Sequence, residues 1–142
     1  MPPLPATLPE RFRDWFAGRG WTPHPYQLEM VAAAAAGESA LLVAPTGGGK
    51  TLAGFLPSLI QLAAAPAPGL HTLYVSPLKA LAVDIQRNLQ APIAELGLPI
   101  AVETRTGDTP AARRTRQRRN PPQMLMTTPE SLALMLSYPD AA

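Results

Sequence analysis

Cysteine is absent from the 142 residues, which excludes disulfides and thiolate metal sites. Histidine is scarce: His24 and His71 are the only two, and no ligand-like spacing joins them, so each reads as an ordinary structural histidine. An uninterrupted apolar run is also lacking. The most membrane-like stretch, LAGFLPSLIQLAAAPAPGL, is broken by Gln61 and three prolines, which argues against a spanning helix. The opening MPPLPATLPERFRDWF has no basic segment followed by an apolar core, so no signal peptide is expected. A cytoplasmic protein without a membrane partner is the expectation.

What remains is globular in character. Hydrophobic residues make up 46% and charged ones 15%, a balance suited to one domain with a real core. The net charge of +2 hides an asymmetry. Residues 105–119 hold six arginines against Asp108 alone, a local +5, so the rest of the chain is near −3. Such a patch favours a polyanionic partner. At about 100° per residue, however, the arginines from 113 to 119 spread around a helix rather than forming a stripe, so that helix is expected to be mostly solvated.

Alternation of elements organises the sequence. Thr7 and Glu10 have capping-box spacing, with Pro9 between them, and predict a helix carrying Phe12, Trp15 and Phe16 to a stop near Gly18 or Gly20. GWTPHPYQ (20–27) reads as a proline-punctuated loop, and an alanine-rich helix over about 26–36 ends at Gly37. ESALLVAP is a short apolar run of the buried-strand kind. A helix from about Lys50 to Ala65 follows, then strands in HTLYVSP, PIAVETRTG and QMLMTTP. Between them lie a helix KALAVDIQRNLQ that Pro92 interrupts or ends, a short arginine-rich helix capped by Thr109-Pro110, and a last helix opened by Pro129. This is an α/β pattern: a parallel sheet with right-handed crossovers and helices on both faces. Ligands of such sheets bind at the carboxyl ends of strands. APTGGGKT, SPLKAL, RTGDTP and TTPESL all fall at such ends.

The loop APTGGGKT (44–51) sits between an apolar run and a helix. Backbone N–H groups and the positive end of the helix dipole converge there, which makes an anion site. Gly47, Gly48 and Gly49 let the backbone wrap a phosphate chain without Cβ clashes. Lys50 then reaches the β- and γ-phosphates and the Thr51 hydroxyl ligates Mg²⁺. The general pattern has glycine at the first position, where this chain has Ala44.

These motifs, in this order, resemble those of superfamily 2 helicases, whose first motif accepts alanine there in the form A-x-T-G-x-G-K-T. Within that superfamily the chain is most similar to the large helicase-related proteins, in particular the bacterial ligase-associated DEXH-box helicases. The resemblance implies part of a RecA-like P-loop NTPase domain, with residues 1–37 as N-terminal helices and a Q-motif-like region and 38–142 as the first part of the ATP-binding domain. It implies ATP and Mg²⁺ as cofactors, held by Gln27, Thr46, Gly47, Gly48, Gly49, Lys50 and Thr51, with Lys50 and Thr51 serving catalysis and Thr51 the metal. Gln27 in PHPYQ becomes the adenine-reading residue, and the flanking aromatic is one of Trp15, Phe16 or Trp21. Ser76, Pro77 and Lys79 correspond to motif Ia. Thr127, Thr128, Pro129 and Glu130 correspond to motif Ib, both motifs holding the nucleic-acid backbone. Arg105, Thr106, Gly107 and Asp108 form a turn of compatible chemistry.

The family's Asp-Glu pair is not in these residues, since no two carboxylates are adjacent. The expectation is therefore an N-terminal piece, cut before the DEXH strand, of a motor that moves along DNA rather than RNA, in a ligase-associated repair complex. Two other readings stay open. One is a P-loop phosphotransferase or transport ATPase that shares only the cradle; the other is a non-catalytic nucleotide- or nucleic-acid-binding module. No guanine-reading N-K-x-D appears, which argues against a GTPase.

Overall fold

Phe12, Trp15 and Phe16 recur at the spacing that puts them on one face of a helix, and all three are buried in α1 (Glu10–Gly18). Pro9 occupies the cap position, where its missing N–H costs nothing. Helix α2 (Pro25–Ala35) has His24 at its cap and Pro25 as its first residue. Helix α3 (Lys50–Ala64) starts after Gly49, whose φ of +83° is a left-handed conformation that side chains disfavour. The computed structural model describes residues 8–44 and 49–139. Two compact units result, Met1–Ala65 and Pro66–Ala142. Helix α3 packs on α2 and so falls in the first unit.

The expected strand in ESALLVAP does not form over the described residues 38–44. Leu41 and Val43 are 90% and 86% exposed. An apolar run becomes a strand only when a neighbour takes up its ladder hydrogen bonds. The described part of the first unit holds three helices and no strand to do so.

The second unit carries the sheet. Strands β1 (Thr72–Val75), β2 (Val102–Arg105) and β3 (Met124–Thr127) are parallel in the order β1-β3-β2. Leu125 registers with Leu73 on one side and Glu103 on the other. Central β3 is buried throughout. Helix α4 (Lys79–Leu96) packs on β2 and β3 from the face bearing Met124, Met126 and Thr104, where the Thr104 hydroxyl bonds Gln86. Helix α5 (Ala111–Arg119) lies toward the opposite face, reaching Glu103 through Arg116 and Gln117. Helix α6 (Pro129–Leu136) follows β3, opened by Pro129 as expected. Helices thus flank both faces.

Pro92 neither ends nor splits α4, which runs on to Leu96 and stops at Gly97 (φ +63°). Leu89, Ile93 and Leu96 are buried on either side of the proline. Their burial outweighs the interior-proline penalty of about 3 kcal/mol. The cap of α5 also differs from expectation. Thr109 turns its hydroxyl inward, accepting from the Thr106 amide at 2.9 Å and donating to the Thr104 carbonyl at 3.3 Å. Pro110 is left at the cap position, with no side-chain hydrogen bond to the helix.

Candidate functional site

In the first unit the site is built around Gln27. Its side chain is 2% exposed and uses both ends. The amide oxygen accepts from the His24 backbone N–H at 2.8 Å, which ties down the start of α2. The amide nitrogen donates to the Gly49 carbonyl at 3.3 Å, immediately before α3. A Cβ at Gly49 would lie 2.8 Å from that nitrogen, so glycine is required there by contact as well as by φ. A side-chain amide has two acceptor sites and two donors, so one of each remains for a ligand.

A cavity of about 510 Å³ opens beside this link, lined by Phe16, Trp21, Thr22, His24, Gln27 and Gly49 among others. Of the three aromatic candidates, Phe16 and Trp21 line it and Trp15 does not. Phe16 is core, whereas Trp21 is 47% exposed. Its ring meets Trp15 edge-on at 5.7 Å and carries the Arg19 guanidinium at 4.9 Å. His24 and Tyr26, which also precede Gln27, stack in parallel at 5.1 Å. Lys50 and Thr51 begin α3, whose first-turn N–H groups lack acceptors within the helix. An aromatic face, a side-chain amide and a glycine-gated helix start together fit a purine nucleotide. Thr46, Gly47 and Gly48 lie outside the described residues.

In the second unit the three strand ends come together. The Ser76 amide donates to the Thr127 carbonyl at 3.0 Å, and the Thr127 hydroxyl donates to the Arg105 carbonyl at 2.7 Å. Lys79, at the start of α4, reaches Asp108 at 3.5 Å and passes over Gly107. SPLKAL, RTGDTP and TTPESL therefore share one edge. Within it, exposure divides the candidates. Pro77, Lys79, Gly107, Asp108, Pro129 and Glu130 are exposed. Ser76, Thr106, Thr127 and Thr128 are buried; the Thr127 hydroxyl is spent on the neighbouring strand, and the other three serve their own turns. Ser76 accepts from the Leu78 amide, Thr106 from the Asp108 amide and Thr128 from the Ser131 amide, the last as the cap of α6. The outward-facing chemistry of this edge is the Lys79 ammonium and the backbone of the turns.

The arginine run is mostly exposed, as expected, but two of its members are tied to neighbouring elements. Arg114 staples the RTGDTP turn, donating to the Thr109 carbonyl at 2.8 Å and the Gly107 carbonyl at 2.6 Å. Arg116 binds Glu103 through both nitrogens at 3.0 and 2.5 Å. That hydrogen bond, helped by Gln117 and opposed by partial burial, holds the Glu103 carboxyl below its ordinary range. Helix periodicity reveals neither arrangement, because the partners come from β2 and its following turn. Among the described residues no cluster of acids and histidines could hold a metal ion. Among them, too, no helix is long and apolar enough to cross a membrane.

The profile of the DEAD/DEAH box helicase family matches residues 24–141. The chain is 46% identical over 138 residues to the Lhr helicase/probable uracil glycosylase of Mycolicibacterium smegmatis, covering 88% of this chain and 9% of that protein. It is 40% identical over 147 residues to the ATP-dependent helicase Lhr-Core protein 2 of Thermococcus barophilus, covering 93% of this chain and 17% of that one. Its structure is similar to that of Mycobacterium smegmatis helicase Lhr bound to ssDNA and AMP-PNP, with a TM-score of 0.84 and 44% identity over 94% of this chain and 18% of the other. The chain thus spans less than a fifth of the length of these relatives.

Proposed function

The chain belongs to the DEAD/DEAH box helicase family, and from that premise we propose that it is the nucleotide-gripping and strand-gripping part of an ATP-dependent DNA helicase. The observation that carries this reading is the Gln27–Gly49 link beside an aromatic-lined cavity, which joins a space roomy enough for adenine to the helix start proposed to receive phosphates. Trp21 and the spare donor and acceptor of Gln27 take the base. Lys50 takes the β- and γ-phosphates, and the Thr51 hydroxyl takes Mg²⁺. ATP so held supplies the free energy of its terminal phosphate bond. The residues of this chain bind it, orient it and couple it to the strand.

The strand lies along the edge formed by SPLKAL, RTGDTP and TTPESL, with Lys79 as its principal cation and backbone amides as further donors. DNA is the partner, as it is for the similar Lhr structure. A repair setting with a ligase partner, in the cytoplasm, belongs to the same proposal and rests on the family resemblance alone. The test is single-strand-stimulated ATP hydrolysis and duplex unwinding by the intact protein. Both activities are expected in the wild type and lost in Lys50→Ala. Hydrolysis that ignores DNA would instead favour a P-loop enzyme sharing only the cradle.

A further inference from the structure

Arg105 opens the RTGDTP turn, yet its side chain is buried and takes no part in the outward-facing chemistry of that edge. Its side chain is 3% exposed, and its Nε and Nη2 are buried without hydrogen-bond partners. A buried cation with idle donors is costly unless an anion meets it. The nearest acid in sequence, Glu103, is already held by Arg116 and Gln117. Arg105 instead lines a cavity of about 310 Å³ with Arg114, Thr115, Arg118, Arg119 and Tyr138. Four guanidinium groups face this space, and among the described residues no carboxylate lines it. Arg118 stacks on the Tyr138 ring at 4.1 Å.

We propose that this cavity is a phosphate-binding site adjoining the strand-end edge, with Arg105 as its buried anchor and a phosphodiester of single-stranded nucleic acid as its occupant. Guanidinium forks match phosphate oxygens in pairs, so the idle Nε and Nη2 of Arg105 present the right geometry for one phosphate. The exposed arginines of α5 extend positive charge along the next phosphates, and a tyrosine backed by arginine offers a surface on which a base can stack. The arginine-rich helix then completes a built site rather than acting as a diffuse attractor. This inference rests on the proposed DNA partner only for the source of the phosphate; free phosphate shares the same chemistry.

Two measurements on the intact protein separate the cases. The first is binding of a labelled single-stranded oligonucleotide across a salt series, comparing wild type, Lys79→Ala and the double variant Arg118→Ala/Arg119→Ala. The double variant is expected to bind about tenfold more weakly at low salt and to lower the salt slope by about 1. An unchanged slope and affinity, with Lys79→Ala still weakened, would overturn the site and leave the strand-end reading intact. A wild type that binds no oligonucleotide would overturn that reading itself.

The second measurement is the thermal midpoint with inorganic phosphate against chloride of equal ionic strength. Phosphate should raise it in wild type and not in Arg105→Met, a variant expected to fold because it removes two unpartnered donors. A phosphate effect lost in Arg105→Met, with oligonucleotide binding unchanged in the double variant, would overturn the phosphodiester occupant in favour of free phosphate. The same phosphate effect in both proteins would overturn the site.

Discussion

At the scale of single residues, Gly49 and Gln27 hold the account together. Gly49→Ala combines a left-handed backbone with a Cβ 2.8 Å from the Gln27 amide. It is expected to cost about 2 kcal/mol and to weaken ATP binding, read by chemical denaturation and by titration. Trp21→Ala should cost about 1–2 kcal/mol of stability, since half the ring packs on Trp15 and Phe16, and lower ATP affinity about tenfold through lost stacking. An unchanged affinity would move the base elsewhere. Glu103 gives a pH prediction. Its carboxyl is depressed by Arg116, so its contribution to stability is present above the unfolded pKa of about 4.3 and fades as pH falls through the lower folded value. Glu103→Gln should flatten that acid limb in a pH series of melts. Sequence alone marked Gln27 and the glycines but not their contact, because 22 residues separate the two partners. It read the arginines as mostly solvated, which holds for four of the five on α5. It missed the partners of Arg114 and Arg116, because Glu103 and the carbonyls of the turn come from outside the helix.

At the scale of elements, local signals located most helices and all three strands of the second unit, because proline starts, glycine stops and short apolar runs are local properties. Two expectations failed where tertiary context decides. Residues 38–44 lack the neighbour that a strand needs, and α4 keeps going through Pro92 because its apolar stripe is buried on both sides. Pro92→Ala is therefore expected to stabilise the protein by about 1–2 kcal/mol, the penalty less the entropy that proline removes from the unfolded chain. A loss of stability on that change would mean that the proline ring itself fills a needed space. The sheet carries its own liability. β1 is an edge strand, and its Leu73 and Val75 are 41% and 42% exposed. Leu73→Lys should reduce self-association of residues 1–142, measured by light scattering on heating.

At the scale of the molecule, the fold and the meeting of three strand ends were legible as an ordered series of motifs, whereas the cavity around the buried arginine was not. That cavity needs β2, α5 and the turn after α6 to meet, which no spacing rule encodes. The paired carboxylates that hold metal and water in P-loop hydrolysis are missing from these residues. Residues 1–142 alone are accordingly expected to show no DNA-stimulated ATP turnover, checked by phosphate release from clean protein. The central claim is that Lys50 and the glycine-gated start of α3 grip the triphosphate. Its most direct test is titration of labelled ATP with Mg²⁺ into the intact protein and its Lys50→Ala variant. Affinity should fall at least tenfold in the variant; equal affinity in the two proteins would contradict the account.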